Sequence, residues 1–88
     1  MTYTKGNIIV ENIKIGDIHY EFEYGYCIKS TVISLPKCTQ NPDGSKYWEW
    51  ESKHELSDRV IKYGVTENLS HYGPNLYDYE AYKGCKFV

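Results

Sequence analysis

Three cysteines and three histidines are the side chains of this chain best suited to chemistry, and their spacing assembles no site. Cys27, Cys38 and Cys85 form no C-x-x-C pair, and His19, His54 and His71 form neither H-x-x-x-H nor H-E-x-x-H. A zinc ribbon or related metal centre needs such closely spaced ligands, so none is indicated. The odd cysteine count gives no disulfide framework, and reduced thiols fit a cytoplasmic protein. The candidates for nucleophilic catalysis are Cys27 or Cys85 with a histidine, and Ser70 beside His71. Adjacency in sequence does not make a triad, whose members converge in space from separate elements. Glu21 with Glu23, and Glu49 with Glu51, are paired carboxylates, but neighbours at i and i+2 on an exposed strand lack the burial that raises one carboxyl pKa. No glycine-rich phosphate cradle is present either. The sequence therefore predicts a non-enzymatic protein that uses no cofactor and no metal.

The same four glutamates have a second potential use. On a strand, i and i+2 carboxylates lie about 6.6–6.8 Å apart on one face, close to the phosphate step of DNA, so Glu21, Glu23, Glu49 and Glu51 could form an acidic face. Solvated glutamates on the outer side of a half-buried strand would look the same. Lys and Arg number ten against twelve Asp and Glu, for a net charge of −2, and Arg59 is the single arginine. Without a basic stripe, direct nucleic-acid binding is not expected.

Aromatic side chains carry the stronger signal, because ten of them are tyrosines. Tyrosine joins a large ring to a hydrogen-bonding tip, so it can close the edge of a small core or populate a binding face. Tyr47, Trp48 and Trp50 concentrate ring area on one strand, with both tryptophans on one face and therefore expected in the core. The segment from His71 to Tyr82 gathers four tyrosines around Gly73-Pro74-Asn75. Rings beside a rigid turn suit partner contact, which makes Tyr72, Tyr77, Asp78, Tyr79 and Tyr82 the expected contact residues. The competing expectation is that this segment is a lid over an open sheet face.

The elements that must position these residues are mostly strands. Residues 8–14 and 18–24, separated by Ile15-Gly16-Asp17, read as a hairpin. In the second of them Ile18, Tyr20, Phe22 and Tyr24 alternate with His19, Glu21 and Glu23, which predicts an apolar inner and a polar outer face. Gly25 reads as a bulge or sharp bend, and a further strand runs from Tyr26 to about Leu35, ending before Pro36. Lys37 to Lys46, with Asn41-Pro42-Asp43-Gly44, reads as a turn, and residues 47–51 as a strand. Residues 53–63 carry a capping box and helical spacing, yet Val60 to Thr66 is rich in β-formers and is better read as a strand pairing back on the tryptophans. A short helix over residues 75–83 and a last strand over 85–88 complete the reading.

Eighty-eight residues make one domain with one small core. The longest apolar runs span three residues against the roughly 20 needed to cross a bilayer, so no membrane association is expected. No apolar stretch marks a secretory signal near the start. The expected fold is mainly β: a small antiparallel meander or curled sheet of about five strands with at most one short helix, α+β being the alternative. Open sheet edges in so small a meander could pair two copies into a homodimer.

The small size, the Lys/Ile/Tyr/Asn-rich usage, and the Trp-Glu-Trp and His-Tyr-Gly-Pro-Asn-Leu-Tyr-Asp-Tyr layouts resemble short accessory proteins made early by large tailed phages. The resemblance implies a cytoplasmic inhibitor or modulator of a host protein, such as a nuclease of a restriction, CRISPR or toxin system. It transfers no site residues. The alternative from a different class is an oligomeric sponge that stacks a nucleotide or other small ligand on its aromatic rings.

Overall fold

A computed structural model describes residues 3–23, 26–66, 71–72, 75–78 and 86–87. Nine strands appear among them: β1 (Thr4–Lys5), β2 (Ile8–Ile9), β3 (Ile18–Glu23), β4 (Tyr26–Val32), β5 (Lys37–Gln40), β6 (Lys46–His54), β7 (Val60–Thr66), β8 (His71–Tyr72) and β9 (Lys86–Phe87). The spatial order β3-β4-β6-β7-β8 is an antiparallel sheet, strongly curled into a half-barrel, with β5 added beside the first half of β6 and β9 parallel to β4. No helix of seven or more residues occurs among the described residues, so the fold is mainly β and the α+β alternative falls away.

The local chemistry explains most of these elements. Val60 to Thr66 takes the extended form and pairs with β6 in register from Lys53↔Val60 to Tyr47↔Thr66. Tertiary pairing of a β-branched run thus outweighs the capping box at Ser52 to Glu55. The hairpin linking them returns through Asp58, whose positive φ of 56° is one that L residues seldom adopt. Trp50 is buried and stacks near Tyr63, with ring centroids 6.2 Å apart, while half-buried Trp48 meets Tyr3 at 4.0 Å. Both tryptophans therefore face the core, as their shared face predicts, together with Val10, Val32, Val65 and Leu76.

Four expectations need correction. Residues 8–14 do not pair with β3: Ile8 and Ile9 pair back on Lys5 and Thr4, and Val10–Asn12 forms a 3-10 turn. The turn at Gly6-Asn7 closes a smaller hairpin than the one expected across Gly16. Lys37–Gln40 is strand rather than turn, because backbone pairing to Lys46–Glu49 is available, and the reversal is confined to Asn41–Ser45. There Asp43 accepts from the Ser45 amide and hydroxyl, and Gly44 takes φ 94°. Asn75–Asp78, the start of the expected helix, is non-helical and bridges Tyr20 through Tyr77; the remainder of 75–83 lies outside the described residues.

The fourth correction concerns the faces of β3. His19 and Glu21 are buried, whereas Ile18 is 37% exposed and Tyr20 and Phe22 are half-buried. The concave side of the curled sheet is polar at this edge, so the polar face of β3 turns inward. Its apolar face is sheltered instead by Tyr77, whose ring lies 5.4 Å from that of Phe22. Gly25 and Tyr24 lie outside the described residues, and the strands they join pair antiparallel from Glu23↔Tyr26 onward. The expected last strand is present at Lys86–Phe87, running parallel to β4 rather than extending the meander.

Candidate binding cleft

Residues 75–78 form a strap that ties the N-terminal hairpin to the free edge of β3. Tyr77 exchanges both backbone hydrogen bonds with Tyr20, at 2.6 and 2.8 Å, and the Asn7 amide donates to the Leu76 carbonyl at 3.2 Å. Asn7 and Asp78 bond reciprocally: the Asp78 amide donates to Asn7 Oδ1, and Asn7 Nδ2 donates to Asp78 Oδ1, each at 3.0 Å. Leu76 is fully buried in the core. Gly6 is the residue that allows this approach, since it sits at φ 65° and a Cβ there would collide with the Leu76 carbonyl oxygen.

Where hairpin, strap and the start of β3 converge, a cleft of about 200 Å³ opens. Ile8, Ile9 and Ile13 form its apolar wall, and Asn7, Asp17, His19 and Asp78 supply the polar groups. Asp17 is set by the tight turn at Gly16, where its Oδ2 accepts from the Lys14 amide at 2.9 Å while its carbonyl accepts from Val32. His19 is 4% exposed, and its Nδ1 has no hydrogen-bond partner. Burial pulls the imidazole below its ordinary pKa, and the Asp17 and Asp78 carboxylates pull in the opposite direction. The cleft thus sets the Asp17 and Asp78 side chains around a buried imidazole.

A second polar group lies inside the half-barrel. The Tyr63 hydroxyl donates to Glu21 Oε1 at 3.0 Å, and His54 Nε2 stands 3.4 Å from the same hydroxyl. Lys5 is fully buried; desolvation lowers its pKa to about 8, against the opposing field of Glu21. Tyr63 is pushed well above the ordinary phenol range, first by burial and then by the Glu21 charge. The buried Ser30 and Ser52 hydroxyls lie on strands β4 and β6 of the same sheet. The cluster links Lys5 on β1, Glu21 on β3, Tyr63 on β7 and half-buried His54 on β6.

Among the expected contact residues, Asp78 is exposed and lines the cleft, and Tyr77 is half-buried with its backbone fixed to β3. Tyr72 pairs through its backbone with Gly64, and Tyr79 and Tyr82 lie outside the described residues. The four glutamates of the expected acidic face stand in different settings. Glu21 is buried on Tyr63, because the concave side of the sheet needs an acceptor there. Glu49 and Glu51 are half-buried on β6, with Lys37 and Lys62 as their respective cross-strand neighbours, so basic groups break up the negative array. Glu23 lies at the end of β3.

Of the nucleophile candidates, Cys27 is fully buried, and Ser70 and Cys85 lie outside the described residues. No group of three or more metal-binding side chains occurs among the described residues. No described helix is long and apolar enough to cross a membrane.

Sequence reasoning missed Asn7, Asp17 and His19. The available signal was the repeated turn chemistry of Gly6-Asn7 and Gly16-Asp17, which bracket an apolar stretch and deliver two polar side chains to its ends. Comparison with known proteins finds no family model, no curated protein and no solved structure that matches the chain.

Proposed function

We propose that this chain is a non-enzymatic binding protein that docks on a partner protein through the strap and the cleft beside it, in the manner of a phage-type inhibitor or modulator of a host protein. The observation that carries the reading is the placement of exposed Asp78 and half-buried Tyr77 on a strap whose backbone is fixed by hydrogen bonds to both β3 and the hairpin. A contact held by rigid backbone loses little entropy on docking, and a tyrosine beside a carboxylate combines apolar area with charge recognition. A cytoplasmic site of action fits the exposed free thiol of Cys38.

The base-stacking alternative is less well supported, because Trp48 and Trp50 present their rings to Tyr3 and Tyr63. Affinity capture of the tagged chain from the cells in which it is made tests the proposal. One stoichiometric partner is expected, retained by an Asp43→Lys control and lost on Asp78→Lys with the circular dichroism spectrum unchanged. Equal capture by both variants would remove the strap from the interface.

A further inference from the structure

The chemistry of the cleft specifies what it accepts more closely than docking in general. Its lining offers carboxylates but no ammonium or guanidinium: the polar groups are the Asp17 and Asp78 carboxylates, the side-chain amides of Asn7 and Asn12, and the His19 imidazole. One oxygen of each carboxylate is already engaged, Asp17 Oδ2 by the Lys14 amide and Asp78 Oδ1 by Asn7. The other oxygen of each is left to an incoming donor. His19 is the independent observation: the side chain is 4% exposed, lines the cleft, and carries a ring nitrogen with no hydrogen bond. A buried polar atom without a partner costs stability, roughly 1–3 kcal/mol in general, and an arrangement of that kind is explained when a ligand completes it.

We infer that the cleft is a site for an organic cation bearing several N–H donors, a guanidinium or ammonium head, seated between Asp17 and Asp78 with its stem against Ile8, Ile9 and Ile13. A guanidinium carries five N–H groups on a planar fork and a weakly hydrated charge, so it can meet acceptors from several directions at once. The volume of about 200 Å³ admits such a head and its first methylenes, but not a large cofactor. The inference rests on the docking reading when the cation is an arginine or lysine side chain of the partner protein. A free polyamine offers the same chemistry from another source.

Titration of the intact chain with N-methylguanidinium, an acetylated arginine amide, spermidine and neutral N-methylurea, followed by the His19 ring signals and the Asp17 and Asp78 amides in NMR, separates the cases. Saturable shifts are expected from the cations with a dissociation constant on the order of 1 mM. They should weaken about tenfold in Asp17→Asn and in Asp78→Asn, whose side chains can still accept the Lys14 and Asn7 bonds, while Asp43→Asn leaves them unchanged. Tighter binding of the arginine amide than of spermidine assigns the cleft to a partner's side chain, and the reverse assigns it to a free polyamine. Equal response to N-methylurea, or shifts indifferent to both Asp17→Asn and Asp78→Asn, would overturn the inference. If the cations fail but partner capture still depends on Asp78, the docking reading stands and the cation site falls. If capture is indifferent to Asp78 while the cations bind, the opposite holds.

Discussion

Lys5 places an ammonium group in the fully buried interior of a small β protein, and its protonation should be visible in the stability of the whole chain. The unfolded chain keeps that proton up to about pH 10.5, whereas the folded chain releases it near 8. Between those values the unfolded state binds more protons, so stability rises with pH. Tyr63 acts in the other direction above its ordinary value of 10.0, because the folded state retains a phenolic proton that the unfolded state gives up. The urea midpoint should therefore increase from pH 8 to a little above pH 10, where the two effects cancel, and then decline. A flat profile would show that Lys5 titrates normally. At the acidic end, the lowered pKa of His19 means that the unfolded chain protonates first below 6.5, and stability should fall with pH there. Trp50→Ala should cost about 3–5 kcal/mol, and half-buried Trp48→Ala less, measured by denaturant unfolding. The tryptophans were legible because both sit on one side of an alternating strand. His19 and Glu21 were not, since alternation shows that a strand has two unlike faces without showing which one the curled sheet encloses.

At the scale of elements, the strap depends on a glycine and a leucine. Gly6→Ala introduces a Cβ at positive φ against the Leu76 carbonyl, and should release residues 75–78 from the hairpin. Faster amide hydrogen exchange at Tyr20 and Asn7, whose amides bond to the strap, is the expected signature. Leu76→Ala should destabilise by about 2–5 kcal/mol through the cavity it leaves. The β6–β7 hairpin makes the opposite case. Asp58→Gly relieves a left-handed backbone and removes only an exposed 3.5 Å pair with Lys53, so thermal unfolding should show no loss of stability, whereas Asp58→Val should lower it. The strands β3, β4, β6 and β7 could be anticipated from alternation and β-branched content. β1 and β5 could not, because two to four residues are too few to display a period, and β2 was covered only within a longer strand assigned a different partner.

The whole molecule measures 43 × 21 × 19 Å, with a radius of gyration of 13.1 Å where a compact chain of this length gives about 12 Å. The long shape follows from a sheet that curls without closing, so that its interior is completed by the hairpin and strap rather than by further strands. A chain truncated before Asn75 should lose the hairpin as well as the strap, read as exposure of Trp48 by its fluorescence, since Tyr3 and Trp48 meet only while the hairpin is docked. Retention of the native Trp48 fluorescence would show that the hairpin docks unaided. The closure was not legible in the sequence, because it joins residues whose separation no local pattern records.

That closure bears on how the protein is made. Asn7 and Asp78 are 71 positions apart. On a ribosome adding about 5–20 residues per second, the hairpin emerges first and waits several seconds for the segment that secures it. During that interval Ile8, Val10 and Ile13 have no Leu76 to meet, and a segment made early is among the last to be locked in place. The fold is thus closed by the later-made partner of a long-range contact, and the apolar side of the hairpin stays open to other chains until that partner arrives.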